Sequence, residues 1–292
     1  MLQLKKTLDR FYRDFDFKGR IKHDPIEVPH RYSDPDDIEV AAFISTCFAY
    51  GKVDLFKPVI NNILKPGAKH PAEFIANFSL KKDAKYLKGI SYRFNKEKDI
   101  HCLIYIISKA LREHGTLKDL FYCHFVSGQD DIKEALTGFM ECLTEIDTSP
   151  VYGRNIRPPG LKHLLSSPKS GSACKRMNLF LRWLVRNKDI DFGIWDRISP
   201  AKLIIPLDTH IARISRCLGL TDRKSPDWKM AKEISESLKK LDSKDPLKYD
   251  FALCHHGISG LCKGINSPGI CSECGFSSVR HSGSLPAGRQ VL

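Results

Sequence analysis

The chain has 292 residues, enough for one large domain or two modest ones with hydrophobic cores. Its formal net charge is +13, from 47 Lys and Arg residues against 34 Asp and Glu residues, and this sign favours a polyanionic partner because neutralised phosphates release their counterions. The start is a charged amphipathic pattern rather than a signal peptide, and no apolar run reaches the roughly 18 residues of a membrane span, so we expect a cytoplasmic protein without membrane spans.

The first half of the chain predicts helices only. Apolar residues recur at three- to four-residue spacing, and no stretch alternates with the period of two that is typical of a strand. One helix is predicted to carry Leu55, Ile60 and Ile63 on its inward face. The predicted fold class is all-α, with helices over 2–15, from about 36 to 51, from there to Pro66, and over 70–77, 99–113, 116–126 and 130–145.

The second half adds two helices whose starts carry charged residues. A basic loop rich in Pro, Gly and Ser spans 146–171, and the next helix follows it. At about 100° per residue, Lys175 and Arg182 fall opposite the apolar face of that helix, with Lys175 in the first turn. Another helix begins at Asp208, a preferred N-cap residue, and ends at Gly219. Further helices are predicted over 228–241 and 245–256.

Two segments of this half resemble a known superfamily. GSACKRMNLFL resembles the lysine-bearing helix of a helix-hairpin-helix motif, and PLDTHIARISRCLGL resembles the segment that follows it in the endonuclease III superfamily of DNA glycosylases. The pattern looks most like a bacterial branch of these enzymes, and the insert between the two segments is similar to that of archaeal 8-oxoguanine glycosylases. The usual Leu-Pro-Gly-Val-Gly hairpin is replaced by Ser-Pro-Lys-Ser-Gly at 167–171. The resemblance implies that Lys175 is the catalytic nucleophile and Asp208 its partner.

The resemblance also implies which residues contact DNA. The hairpin would anchor a phosphate through backbone N–H groups, aided by the positive end of the following helix. Arg213 would contact a second phosphate, and Tyr50 and Lys52 lie at the turn whose side chain wedges into DNA in the family. For Tyr50, packing on the core is the alternative. The predicted hairpin contacts are Ser167, Lys169, Ser170 and Gly171.

Four cysteines near the end of the chain have metal-ligand character. They are spaced C-x7-C-x8-C-x2-C, and four thiolates complete either a tetrahedral zinc site or a 4Fe-4S cluster. In endonuclease III relatives a His-Gly pair precedes a 4Fe-4S loop, and His256-Gly257 resembles that pair. The family's last cysteine is missing here, and Cys254 is a candidate to replace it, as are His255 and His256. The prediction is an iron–sulfur cluster, with zinc or no metal as alternatives, held by Cys254, Cys262, Cys271 and Cys274.

The resemblance implies two helical subdomains with a cleft between them. Residues 36–188 would form the core with the hairpin and lysine helix, residues 1–35 and 189–276 the second subdomain, and residues 277–292 a disordered tail. The implied function is a DNA repair glycosylase that excises a damaged base flipped from duplex DNA. It would also have AP-lyase activity if the lysine is the nucleophile. The alternatives are a non-catalytic DNA- or RNA-binding protein that retains the fold and an unrelated helical metalloprotein.

Overall fold

Helices build the whole described part of the protein. The computed structural model describes residues 1–262 and residue 276, and these contain fifteen α-helices and no β-strand. The all-α prediction is confirmed. None of the helices in this part is both long and apolar enough to cross a membrane. The predicted tail, 277–292, lies outside the described residues.

The helices are α1 Leu2–Arg13, α2 Phe17–Arg20, α3 Pro35–Cys47, α4 Val53–Leu64, α5 Pro71–Ala76, α6 Leu80–Asp83, α7 Glu97–His114, α8 Leu117–Tyr122, α9 Lys133–Glu145, α10 Ser149–Tyr152, α11 Pro159–Leu164, α12 Lys175–Val185, α13 Thr209–Cys217, α14 Trp228–Lys239 and α15 Asp250–Ile258.

Helix α3 lies at the centre of the core. It begins at Pro35 because the side chain of Asp34 accepts hydrogen bonds from the backbone N–H groups of Asp36 and Asp37. Every residue from Asp37 to Cys47 is buried, as expected for a helix surrounded by others. Helices α5, α8 and α12 pack against it. The segment after α3 therefore runs directly beside the start of α12.

Helices α13 and α15 pack closely against each other. Gly257 on α15 makes this approach possible, since a Cβ atom there would lie 2.7 Å from Cβ of His210 and 3.2 Å from Cδ1 of Ile214. One continuous hydrophobic cluster includes residues from Leu4 to Phe276. The division into two subdomains, 36–188 and 1–35 with 189–276, stays a prediction.

Two expectations about single side chains were wrong. Leu55 was expected to face inward but is 60% exposed, because the buried stripe of α4 runs through Phe56, Ile60 and Ile63. Arg182 was placed on a polar face but is only 2% exposed. The carboxylates of Asp191, nearby in the chain, and of the distant Asp250 pair with its guanidinium and compensate its charge.

Candidate active site

The side chains of Lys175 and Asp208 meet where the starts of α12 and α13 come together. The Lys175 Nζ atom lies 4.0 Å from Oδ2 of Asp208 and donates a hydrogen bond to the backbone oxygen of Ala49 at 3.2 Å. The Lys175 side chain is 29% exposed and that of Asp208 is 22% exposed. The amine and the carboxylate are therefore adjacent, held on rigid elements and open to a ligand.

The two carboxylate oxygens of Asp208 have different tasks. Oδ1 accepts hydrogen bonds of 2.9 Å from the backbone N–H groups of His210 and Ile211, which makes Asp208 the N-cap of α13. Oδ2 faces Lys175. The capping bonds hold Oδ1, and the second oxygen faces the site.

Cys254 is a third member of this group and comes from the middle of α15. Its thiol donates a hydrogen bond to Oδ2 of Asp208, with a distance of 3.8 Å between sulfur and oxygen. Burial and the negative charge of Asp208 raise the pKa of the Cys254 thiol well above its ordinary value. The sulfur is therefore directed at the carboxylate.

The cysteine prediction falls partly outside the described residues. Cys271 and Cys274 are not described, whereas Cys262 is buried and Cys254 contacts Asp208. Within residues 1–262 and residue 276, no group of three or more His, Cys, Asp or Glu side chains could hold a metal ion. The iron–sulfur cluster and the zinc alternative stay predictions.

The hairpin segment joins α11 to α12 by way of a short 3-10 turn at Pro168–Ser170. Gly171, with φ of +77°, and Cys174, with φ of +46°, reverse the chain so that Lys175 opens the next helix. The Ser167 hydroxyl accepts a hydrogen bond from the backbone N–H of Lys169, and the Ser170 hydroxyl donates to the Ser167 backbone oxygen. The segment 167–172 therefore forms a turn before the lysine helix, and Lys169, Ser170 and Gly171 are exposed in it.

Other contacts attach the hairpin turn to the rest of the protein. The Lys169 Nζ atom lies 2.6 Å from Oε1 of Glu141 on α9. The backbone oxygen of Gly171 accepts a hydrogen bond from the Trp228 N–H at the start of α14. The turn is therefore held from both sides, which preserves its position relative to Lys175.

Arg213 joins two helices. Its Nη2 atom lies 2.9 Å from the backbone oxygen of Gly257 and 3.3 Å from Nδ1 of His210. The guanidinium thus connects α13 with α15 in addition to its predicted contact with phosphate. Lys52 is exposed at the N-cap of α4.

Tyr50 lies in a cluster of aromatic rings beside the site. Its ring centroid is 4.7 Å from that of His163, 4.9 Å from that of Tyr92 and 5.6 Å from that of Phe94. Its hydroxyl donates to Oδ1 of Asn95, and burial raises the pKa of the hydroxyl to about 12. Tyr50 follows Ala49, whose backbone oxygen binds Lys175, so the aromatic cluster borders the candidate active site.

A tight turn that carries Arg93 and Phe94 was missed from the sequence. Backbone hydrogen bonds of 3.0 and 2.9 Å join Tyr92 and Asn95 across it, and Arg93 adopts a φ of +52°. Phe94 is 51% exposed and stacks on Tyr50 at an interplanar angle of 22°. The run Tyr-Arg-Phe-Asn was the available signal, because aromatic and basic residues are interleaved in it.

The family model described as "Protein of unknown function (DUF2400)" matches residues 24–259, which is more than half of the chain. The chain belongs to this family. The matched part includes Lys175, Asp208 and Cys254 but ends before Cys262. No curated protein and no solved structure matches the chain. The family description names no activity, so the chemistry must be argued from the residues.

A buried ionic network supports the candidate site in this member of the DUF2400 family. Arg182 on α12 pairs with Asp250 at 2.6 Å and with Asp191 at 3.1 Å. Arg186 pairs with Asp191 and, at 2.8 Å, with Asp245. Asp250 lies one helical turn before Cys254, and its pKa is raised to about 6 by burial, with Asp208 as a contributing negative charge. The network thus connects α12, the lysine helix, to α15.

Proposed function

We propose that the protein is a DNA glycosylase with AP-lyase activity that excises a damaged base flipped out of duplex DNA. The observation that carries the proposal is the 4.0 Å approach of the Lys175 amine to the Asp208 carboxylate, directly after the hairpin turn. A reachable amine beside a fixed carboxylate is the pair that base excision with strand cleavage requires.

The amine and the carboxylate would divide the reaction between them. As the bond between C1′ and the base breaks, positive charge develops on the sugar, and Oδ2 of Asp208 stabilises it. The Lys175 amine attacks C1′ in its unprotonated form, while the base leaves with the bonding electron pair and takes up a proton from water. Asp208 accepts the proton that the attacking nitrogen loses. The C1′–O4′ bond then breaks and O4′ takes up the proton that Asp208 received, which leaves a Schiff base between Nζ and C1′. Loss of a proton from C2′ and departure of the 3′ phosphate then cleave the strand.

The chain positions the amine through its backbone. The Ala49 oxygen accepts a hydrogen bond from Nζ of Lys175, which directs the amine toward Asp208. The adjacent residue, Arg176, is buried, and its Nη1 donates to the backbone oxygen of Cys47 at 2.9 Å. Lys175 and Arg176 therefore link the start of α12 to the end of α3 and to the segment after it, and these bonds resist small movements of either helix.

The proposed DNA contacts surround this pair. The hairpin turn would bind a phosphate on one side through Ser167, Lys169, Ser170 and Gly171, with Arg213 adding a second phosphate contact. On the other side, Lys52 and the ring of Tyr50, extended by Phe94, would face the strand. The formal charge of +13 supports a polyanionic partner.

Borohydride trapping tests the proposal. Duplexes that contain an abasic site, 8-oxoguanine or uracil are incubated with the protein and sodium borohydride, which reduces a Schiff base to a stable adduct. We expect an adduct with the wild type and none with Lys175→Gln. The matched control is Lys188→Gln, which removes an exposed lysine just beyond the end of α12. An adduct that persists in Lys175→Gln would refute the role of Lys175.

The same samples separate the alternative function. Salt-dependent duplex binding by the wild type without any adduct or excised base would identify a non-catalytic DNA-binding protein. Absence of both binding and product would reject DNA as the partner.

A further inference from the structure

We infer that Cys254 is a positioning residue for Asp208 and is not a metal ligand. Its place in the reaction rests on the proposed function, whereas its exclusion from a metal site does not. The inference starts from one contact, the 3.8 Å approach of the Cys254 sulfur to Oδ2 of Asp208.

The position of Cys254 is set by helix packing. Gly257 lies on the same helix, α15, and its missing side chain lets α13 approach, since a Cβ there would meet Cβ of His210 at 2.7 Å. Arg213 joins the two helices through the backbone oxygen of Gly257. The register between α13 and α15 is therefore fixed independently of the cysteine loop, and it places the sulfur of Cys254 beside the N-cap of α13.

The thiol completes the set of donors around the Asp208 carboxylate. Oδ1 accepts two backbone N–H bonds, which leaves the direction of Oδ2 to be held by its own partners. The Cys254 S–H donates a hydrogen bond to Oδ2, and the Lys175 Nζ atom lies 4.0 Å from the same oxygen. With the thiol in place, Oδ2 stays directed at the amine and at the sugar carbon that the amine would attack.

A metal site would require a different state of the same sulfur. A metal-bound cysteine is a thiolate and has no proton to donate. Moreover, the Asp208 carboxylate lies 3.8 Å from the sulfur, and a negative charge at that distance disfavours a thiolate. The two roles exclude each other, and the contact to Asp208 favours the positioning role. Any metal in the cysteine loop would then be held by Cys262, Cys271 and Cys274 with a donor other than Cys254.

The first experiment measures metal content and trapping in full-length variants. Cys254→Ala and Cys254→Ser are compared with Cys262→Ala after anaerobic purification. We expect iron and zinc per chain to equal the wild-type values in both Cys254 variants, including the case in which the wild type contains neither. Loss of metal from Cys254→Ala alone, or from both Cys254 variants, would overturn the inference.

The trapping rate tests the positioning role. Cys254→Ala removes the donor and should lower the rate constant for adduct formation about fivefold, the factor expected for one net hydrogen bond. Cys254→Ser keeps a donor at this position and should restore the rate to within about twofold of the wild type. A rate in Cys254→Ala equal to that of the wild type would overturn the positioning role while the proposed function stands.

Alkylation with iodoacetamide tests the contact without DNA. Asp208→Asn removes the negative charge beside the sulfur, so the Cys254 thiol should react at least about threefold faster than in the wild type. Cys123, which is exposed on α8's C-terminal side, serves as the internal control and should react at the same rate in both proteins. An unchanged Cys254 rate would overturn the inference. A faster rate in a protein that forms no adduct would retain the contact and reject the proposed function.

Discussion

Asp208 approaches Lys175 with only one of its two oxygens: Oδ2 lies 4.0 Å from the lysine Nζ, while Oδ1 caps α13. A single carboxylate therefore carries a structural task and a proposed chemical task on separate atoms. Substitutions can separate the two, because asparagine caps a helix about as well as aspartate but carries no charge.

We expect Asp208→Asn and Asp208→Ala to differ in stability but not in activity. Asp208→Ala loses the cap and should lower the free energy of unfolding by about 1 kcal/mol, whereas Asp208→Asn should stay close to the wild type. Both remove the charge that stabilises the sugar cation and should slow base excision on the order of a hundredfold. Urea denaturation and single-turnover excision measure the two effects. Full activity in Asp208→Asn would show that the charge has no part in the reaction.

The close contact between Gly257 and His210 predicts a large effect of a small substitution. Gly257→Ala would place a Cβ 2.7 Å from Cβ of His210, so α13 and α15 must separate. We expect a loss of about 1–3 kcal/mol in the free energy of unfolding, measured by urea denaturation. Gly128→Ala is the control, because a Cβ at Gly128 meets no atom within 4 Å. Equal stability of the two variants would contradict the tight packing of α13 on α15.

The parts of the fold that depend on local sequence could be predicted. α7 was predicted over 99–113 and spans Glu97–His114, because its apolar stripe repeats at helical spacing within one segment. The N-cap at Asp208 was also predictable, since the residue bonds its own helix. Lys175 and Asp208 were connected only through the family resemblance, because nothing local in the sequence places two helix starts next to each other.

The parts that depend on distant segments could not be predicted. Arg182 has the spacing of a solvent-facing residue, and its burial depends on Asp250, which is 68 residues away in the sequence. The ligand role of Cys254 stays a prediction, and the contact of its sulfur with Asp208, 46 residues earlier, has no signal in the sequence. Helical periodicity reports which residues share a face, but it does not report what another helix presents to that face.

Glu39 on α3 predicts a pH dependence of stability. Its carboxylate accepts hydrogen bonds from the backbone N–H groups of Leu117 and Lys118 and from Nε1 of Trp195, at 2.7, 3.0 and 2.9 Å. Burial outweighs these donors and raises the pKa of Glu39 to about 7. A raised pKa means that the folded protein binds a proton that the unfolded chain has already lost. The stabilisation that this bound proton contributes is therefore complete below about pH 4.5, the ordinary pKa of a glutamate. It is lost as the pH rises through about 7.

We expect the wild type to lose stability relative to Glu39→Gln between pH 4.5 and pH 8. The change should not exceed about 3 kcal/mol, the free energy of a shift of this size. Urea denaturation over this pH series measures the difference in the free energy of unfolding between the two proteins. The change of that difference with pH is the test, even if the substitution lowers stability at every pH. Glu236→Gln, at an exposed glutamate on α14, controls for the loss of one negative charge. A difference between wild type and Glu39→Gln that does not vary with pH would contradict the raised pKa.

Phe94 offers the sharpest separation of DNA contact from folding. It is 51% exposed in the turn beside Tyr50, and a ring in this position contributes little burial but presents a face on which a base can stack. Phe94→Ala should therefore weaken binding to a duplex with an abasic site by about tenfold, within the range of one base–aromatic stack. Tyr86→Ala is the matched control, because Tyr86 is 50% exposed and its ring packs against that of Phe74. Fluorescence anisotropy at fixed salt measures both variants, and urea denaturation should find each close to the wild type. Equal affinities of the two variants would place the bound strand elsewhere, and an equal loss in both would indicate that any exposed aromatic ring contributes, rather than this turn in particular.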